Sequence, residues 1–131
     1  MRGKRTYLRN DNHTRPHMNV EDKSDNTGWG PSLWHTLHTI SFYYPDNPTR
    51  EQRMSAWNFF SSLDNLLPCP DCCKHCKEYL QQNPPLVHNK DILTRWVINF
   101  HNAVNTRLGK PEWTYEQAKQ KYNINNACPL N

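Results

Sequence analysis

The chain lacks any long apolar run, and this absence excludes a membrane-spanning segment. Its apolar stretches are short, such as Trp96-Val97-Ile98, whereas a transmembrane helix needs about 20 consecutive apolar residues. Residues 1–28 also lack the hydrophobic centre of a secretory leader. From these two absences we expect a soluble, cytoplasmic protein, in a compartment where structural disulfides are uncommon.

Internal repeats, alternating strand patterns and concentrated charge are absent too. The net charge is only +4, from 16 basic and 12 acidic residues. The basic residues are dispersed, with no block longer than Arg2-Gly3-Lys4-Arg5, so the sequence does not predict a nucleic-acid-binding surface. A length of 131 residues is typical of one domain with a modest core.

The pattern that remains is helical from Gly30 onward. Five segments are bounded by caps and prolines: 30–44, 49–67, 70–82, 89–108 and 114–122. The fourth carries a wide apolar face of Leu93, Trp96, Val97, Phe100, Val104 and Leu108. We therefore predict an all-α domain, most simply a four-helix bundle with a short fifth helix. The predicted division is a disordered polar segment (1–28), the domain (29–122) and a flexible tail (123–131).

Four of the five cysteines lie together in the segment Cys69-Pro-Asp-Cys72-Cys73-Lys-His-Cys76. Thiols this close can form a disulfide, bind a metal or exchange electrons. Cys69 occupies the predicted N-cap position of the third helix, with Pro70 at the first helical position. Cys69 and Cys72 therefore straddle the helix start, where free backbone N–H groups and the helix dipole favour a thiolate. A thiolate both attacks and leaves in disulfide exchange, so we expect a reactive pair here. A structural disulfide or inert thiols are the alternative.

A metal site at the same segment is a weaker interpretation. Cys69, Cys72, His75 and Cys76 have side chains that can bind zinc or an iron–sulfur cluster. Structural zinc sites usually draw a second ligand pair from elsewhere in the chain, and here Cys128 is alone. We therefore expect no metal.

A second set of polar and aromatic residues lies in the fourth predicted helix. His101, Asn105 and Leu108 share one edge of it, and Arg107 with Lys110 could neutralise a phosphate. Flat rings that could join them are Trp34 and His38 on the first helix, together with Trp96, Trp113 and Tyr122. Singly, each could be an ordinary core or surface residue. Together they favour a large, flat, phosphorylated ligand.

These motifs carry a family resemblance. The order Trp34-x3-His38-Thr, Cys69-Pro-x-Cys72 and His101-Asn-x-Val-Asn105-x2-Leu-Gly-Lys110-Pro resembles the Erv/ALR family of FAD-linked sulfhydryl oxidases over residues 29–122. The resemblance implies that four helices hold FAD, that a short fifth helix lies across them, and that the protein is a homodimer. It also implies an enzyme that makes disulfides in thiol substrates and passes the electrons to dioxygen, giving hydrogen peroxide.

The resemblance assigns roles to individual residues. Cys69–Cys72 would be the redox-active disulfide, with Cys69 exchanging with incoming thiols and Cys72 closest to the flavin. The implied FAD-binding residues are Gly30, Trp34, His38, Tyr43, His101, Asn102, Asn105, Leu108, Lys110, Lys121 and Tyr122. The implied partners are thiol-containing proteins or a thioredoxin-like relay protein.

The chain departs from the family pattern in two places. Asn99 or Phe100 and Tyr115 stand near the usual disulfide that pins the short helix, so packing alone should hold that helix. No second cysteine pair exists for a shuttle. Cys128 could relay electrons to Cys69 of the same or the partner subunit, or be an incidental thiol.

Several interpretations stay open from the sequence. The roles of Cys73 and Cys76 are undecided. A metal-binding module and an inactive interaction scaffold are the other functional classes. Small members without the extra disulfide resemble those encoded by large DNA viruses, which predicts a location in host cytoplasm or virion.

Overall fold

A computed structural model describes residues 28–123, and every regular element in that range is an α-helix. The helices are α1 (Trp29–Phe42), α2 (Arg50–Ser61), α3 (Leu63–Leu66), α4 (Pro70–Gln82), α5 (Lys90–Arg107) and α6 (Tyr115–Tyr122). The all-α prediction is confirmed. None of the helices in this range is long and apolar enough to cross a bilayer. The predicted segment 1–28 and the tail from 124 lie almost wholly outside the described residues.

The prediction of one continuous helix over residues 49–67 is wrong. It forms two helices, α2 and α3, with Ser62 between them. The Ser62 hydroxyl donates to the carbonyl of Asn58, and hydroxyls that bond locally compete with a regular helix. The bundle therefore has one more helix than the sequence predicted, and α3 contacts the start of α4.

Side-chain caps fix most of the helix starts. Thr49 and Thr114 each form a capping box with the glutamine three residues later, and Asn89 accepts from the amide of Ile92 at 2.9 Å. Such caps satisfy backbone N–H groups that the helix leaves free, and each contributes about 1 kcal/mol. The predicted helix start at 49 and the predicted caps at 89 and 114 are confirmed. The prediction that Gly30 caps the first helix is wrong, because α1 begins at Trp29 with Gly28 at the cap position.

The core is centred on α5, which packs along α1. Leu37, Phe60, Leu93 and Val97 are at most 1% exposed, and burying such a side chain contributes roughly 1.5–3 kcal/mol. The α5 apolar face is as predicted except for Leu108, which is 44% exposed. The chain therefore lies outside the core at Leu108, the C-cap residue of α5.

A separate cluster attaches α6. Phe42, Ile98, Ala118 and Tyr122 are all buried together. The expectation that packing alone holds the short helix is wrong, because polar contacts also reach it and the connection before it. The Arg95 guanidinium lies 4.7 Å from the centre of the Tyr115 ring, and the side chains of Asn102 and Thr106 hydrogen-bond to the connection.

Candidate functional site

One large cavity lies between α1, α4, α5 and α6, with a volume of about 970 Å³. Ligand pockets typically enclose roughly 300–1,000 Å³, so this one suits a large organic cofactor. The predicted site residues that line it are Cys69, Cys72, Gly30, Trp34, His101, Asn105, Leu108, Lys110, Lys121 and Tyr122. The fold thus brings the cysteine pair and most of the predicted polar and aromatic residues to one cavity.

Three predicted cofactor contacts do not line the cavity. His38 is 1% exposed and lies behind the wall. Asn102 bonds the backbone of Trp113. Tyr43 is the C-cap residue of α1 and is 41% exposed. Trp96, predicted to offer a flat surface, lies instead in the core, where its indole N–H donates to the Asn83 carbonyl.

Aromatic rings form one wall of the cavity. The Trp34 and His101 rings stack with centroids 4.0 Å apart and planes 5° from parallel. The centre of the Trp113 ring lies 6.4 Å from that of His101, with the two planes 18° from parallel. Tyr79 on α4 stacks on Phe100 at 4.9 Å. Rings held in this way offer faces for a flat ligand.

A buried histidine pair supports this wall. His38 Nε2 and His101 Nδ1 lie 2.8 Å apart, and the His38 ring stacks on Tyr122 at 4.1 Å. Burial, followed by the neighbouring His101, lowers the pKa of His38 to about 3. Burial, followed by the charge of Lys121, lowers the pKa of His101 to about 4. Both rings are therefore neutral at physiological pH, and one donates its N–H to the other.

Asn105, which lines the cavity, carries an unsatisfied polar atom. Its side chain is 5% exposed, and its Nδ2 is buried without a hydrogen-bond partner in the protein. A buried donor left unpaired costs about 1–3 kcal/mol. An acceptor on a ligand would remove that cost.

Positive charge is concentrated at the α5–α6 end of the cavity. Arg107, Lys110 and Lys121 all line it, and Lys121 Nζ lies 4.7 Å from the centre of the Trp113 ring. Cations of this kind can neutralise phosphate groups. The cavity therefore combines flat apolar walls with a cationic end.

Cys69 caps α4 with its sulfur. Cys69 Sγ accepts from the amide of Cys72 at 3.3 Å, and Pro70 occupies the first turn. The predicted cap is confirmed. Both Cys69 and Cys72 line the cavity, so the pair connects the helix start to the ligand space.

The pKa values of the two thiols are shifted in opposite directions. Hydrogen bonds from the Cys72 thiol and then from the Cys72 amide lower the pKa of Cys69. Burial, and then donation to Cys69, raise the pKa of Cys72 to about 11. The prediction of a favoured thiolate is confirmed for Cys69 and wrong for Cys72 in the dithiol form. The nearby charge of Arg107 partly opposes the shift at Cys72.

The other two cysteines of the segment have different surroundings. The Cys73 thiol donates to the Leu67 carbonyl at 3.1 Å. Cys76 is 3% exposed, and burial, followed by the charge of Asp64, raises its pKa to about 12. Among the described residues, no group of three or more His, Cys, Asp or Glu side chains is placed to hold a metal ion. Cys128 lies outside those residues.

The sequence alone missed several residues of the cavity wall. Tyr79 and Ala103 line it, although no motif singled them out. Tyr79 lies seven residues after Cys72, which is two turns along the same face of α4. That spacing could have predicted Tyr79 as a residue of the cavity wall.

We predict that the Cys72 thiol lowers the pKa of Cys69. In the reduced protein, alkylation of Cys69 by iodoacetamide, followed by mass spectrometry, should rise at a lower pH than alkylation of Cys72. Cys72→Ala removes the thiol donor, so the midpoint for Cys69 should move to higher pH. Cys72→Ser keeps a hydroxyl donor and should stay closer to the original protein. Equal midpoints in the two variants would contradict this role.

Sequence comparisons with known proteins agree on one family. Residues 31–123 match the Erv1 / Alr family. The chain is 36% identical over 93 residues to the FAD-linked sulfhydryl oxidase ERV1 of Oryza sativa, covering 71% of this chain and 48% of that protein. It is 33% identical over 94 residues to the FAD-linked sulfhydryl oxidase of African swine fever virus, covering 72% and 79%.

The fold has solved counterparts as well. The crystal structure of the FAD binding domain of Erv1 from Saccharomyces cerevisiae superimposes with a TM-score of 0.70 at 31% identity, covering 81% of this chain and 95% of that one. The chain spans about half the length of the plant relatives that it matches.

Proposed function

The chain belongs to the Erv1 / Alr family, and from this membership and the cavity we propose that it is an FAD-linked sulfhydryl oxidase. The observation that carries the proposal is the position of Cys69 and Cys72. Both open onto one cavity of about 970 Å³ that has aromatic walls and a cationic end. A reactive thiol pair beside a cofactor-sized space suits electron transfer between thiols and a flavin.

The residues present fit FAD. The unpartnered Nδ2 of Asn105 needs a hydrogen-bond acceptor, which the flavin and adenine rings both carry. Trp34, His101 and Trp113 supply ring faces. A side-chain carbon at Gly30 would meet no protein atom within 4 Å, so space remains for a ligand close to the backbone there.

The first chemical step uses Cys69. A substrate thiolate attacks Cys69 Sγ of the Cys69–Cys72 disulfide, forming a mixed disulfide and releasing Cys72 as a thiolate. A second substrate thiolate then attacks the substrate sulfur of the mixed disulfide. This releases the substrate disulfide and leaves Cys69 as a thiolate, which the Cys72 amide stabilises.

The released Cys72 sulfur lies in the cavity, where Arg107 favours its anion. A bound FAD would supply a two-electron acceptor beside the reduced pair, and its reduced form would react with dioxygen to give hydrogen peroxide. The neutral His38–His101 pair and the aromatic wall orient the site without adding charge next to it. Lys110 and Lys121 hold the phosphate end.

The experiment that tests the proposal compares the original protein with Cys72→Ala. The original should purify yellow, and its flavin absorbance should bleach with dithiothreitol and recover in air with peroxide release. Cys72→Ala should keep the flavin spectrum but lose at least about 100-fold in oxygen consumption, because the electron path through the pair is cut.

Cys73→Ser is the matched control, since Cys73 adjoins the pair on the same helix but does not line the cavity, and serine keeps a donor for the Leu67 carbonyl. It should retain turnover. A colourless protein would contradict FAD binding. Full oxygen consumption by Cys72→Ala would contradict the proposed route for electrons.

We further propose that the substrates are thiol-containing proteins or a thioredoxin-like relay protein, with Cys128 passing electrons to Cys69. Support for the relay is limited to the chain order, which places Cys128 six residues after Tyr122 of the cavity wall. Cys128→Ser should slow turnover of a reduced protein substrate but leave turnover of dithiothreitol unchanged. Unchanged rates with both substrates would rule out the relay.

Homodimer formation is also proposed. Two large apolar side chains on one face of α2, three residues apart, are exposed: Met54 at 55% and Trp57 at 43%. Exposed apolar groups close together on one element are typical of protein contact surfaces. Sedimentation equilibrium should give twice the chain mass of 15.6 kDa. Trp57→Glu should halve that mass, whereas Ser55→Glu, on the same helix, should not. A single-chain mass for the unmodified protein would contradict the dimer.

A viral source, with a location in host cytoplasm or virion, is likewise a proposal. Its support is the match to the African swine fever virus protein, which covers 79% of that protein. The yeast relative is named as a mitochondrial protein. Immunolocalisation of the protein in its own cells would decide between these locations.

A further inference from the structure

The connection between α5 and α6 is held by three residues of α5. The Asn105 carbonyl accepts from the Lys110 amide at 2.8 Å, and the Thr106 hydroxyl donates to the Glu112 carboxylate at 2.9 Å. Asn102 makes the closest attachment to the wall, because its side chain bonds the backbone of Trp113 twice.

Both polar groups of the Asn102 carboxamide are used in this attachment. Oδ1 accepts from the Trp113 amide at 2.8 Å, and Nδ2 donates to the Trp113 carbonyl at 2.8 Å. Both contacts are partly buried and span eleven positions of the chain. The backbone amide and carbonyl of Trp113 dictate which end of the carboxamide faces each of them.

Trp113 is the part of the connection that shapes the cavity. Its ring lines the cavity, lies 18° from parallel to His101, and has the Lys121 ammonium 4.7 Å from its centre. A shift of the Trp113 backbone would therefore move an aromatic face and a neighbouring cation together.

We propose that Asn102 is a positioning residue that fixes the Trp113 wall through two backbone hydrogen bonds and does not contact the cofactor. His101 and Asn105, its neighbours on α5, line the cavity, whereas Asn102 does not. This inference rests on the proposed function for the identity of the ligand, FAD. Its structural part concerns the cofactor-free chain alone.

The test measures hydrogen exchange at the Trp113 amide in the cofactor-free protein and the dissociation constant for FAD. Asn102→Leu removes both hydrogen bonds at similar volume. Exchange at Trp113 should speed up at least about tenfold, and FAD should bind about tenfold more weakly, because both hydrogen bonds that hold the Trp113 backbone to α5 are lost. Asn99→Leu is the matched control, being an exposed asparagine on α5, and should change neither.

Asn102→Asp separates the two hydrogen bonds. It keeps an acceptor for the Trp113 amide and loses the donor to the Trp113 carbonyl, so exchange at Trp113 should stay slower than in Asn102→Leu. This variant also gives the result if Asn102→Leu does not fold.

Two outcomes would overturn the proposal. One is unchanged exchange at Trp113 in Asn102→Leu. The other is faster exchange at Trp113 with unchanged FAD binding, because the two hydrogen bonds would then hold the connection without positioning a wall of the cofactor site. Failure of the unmodified protein to bind FAD would refute the proposed function instead, and the exchange measurement would still decide the role of Asn102 in holding Trp113.

Discussion

The start of α4 is the constraint on which the site depends. Pro68 and Pro70 flank Cys69, and a proline in the first turn gives up no intrahelical hydrogen bond. The sulfur of Cys69 therefore takes the place of the usual oxygen cap and accepts from the Cys72 amide. One local motif thus fixes where the thiolate forms and which residue, one turn later, lies beside it in the cavity.

The cavity wall also depends on α5, whose faces are divided between the core, the cavity and the connection to α6. Leu93 and Val97 are buried in the core and anchor the helix. One turn later, His101 and Asn105 line the cavity, and the remaining side holds the connection to α6. A single helix therefore couples core stability to the position of the cavity wall. A rigid helix holds such a wall more accurately than a loop would.

Local features were predictable from sequence, and features that depend on tertiary contacts were not. The caps at Thr49, Cys69 and Thr114 follow from residue types at fixed spacing. The burial of His38 behind His101 depends on how α1 packs on α5. The bonding of Asn102 to Trp113 depends on the path of the connection. Neither has a signal within one helical turn.

Four thiols in eight residues could form wrong disulfides, and their surroundings explain why one pair should dominate. The thiolate, not the thiol, attacks a disulfide. Hydrogen bonds lower the pKa of Cys69, whereas burial, followed by donation to Cys69, raises the pKa of Cys72 to about 11. Burial raises the pKa of Cys76 to about 12, and the Cys73 thiol is engaged with the Leu67 carbonyl. The reactivity of the segment is therefore set by hydrogen bonding and burial, and the same two effects keep its extra cysteines from competing with the pair at the cavity.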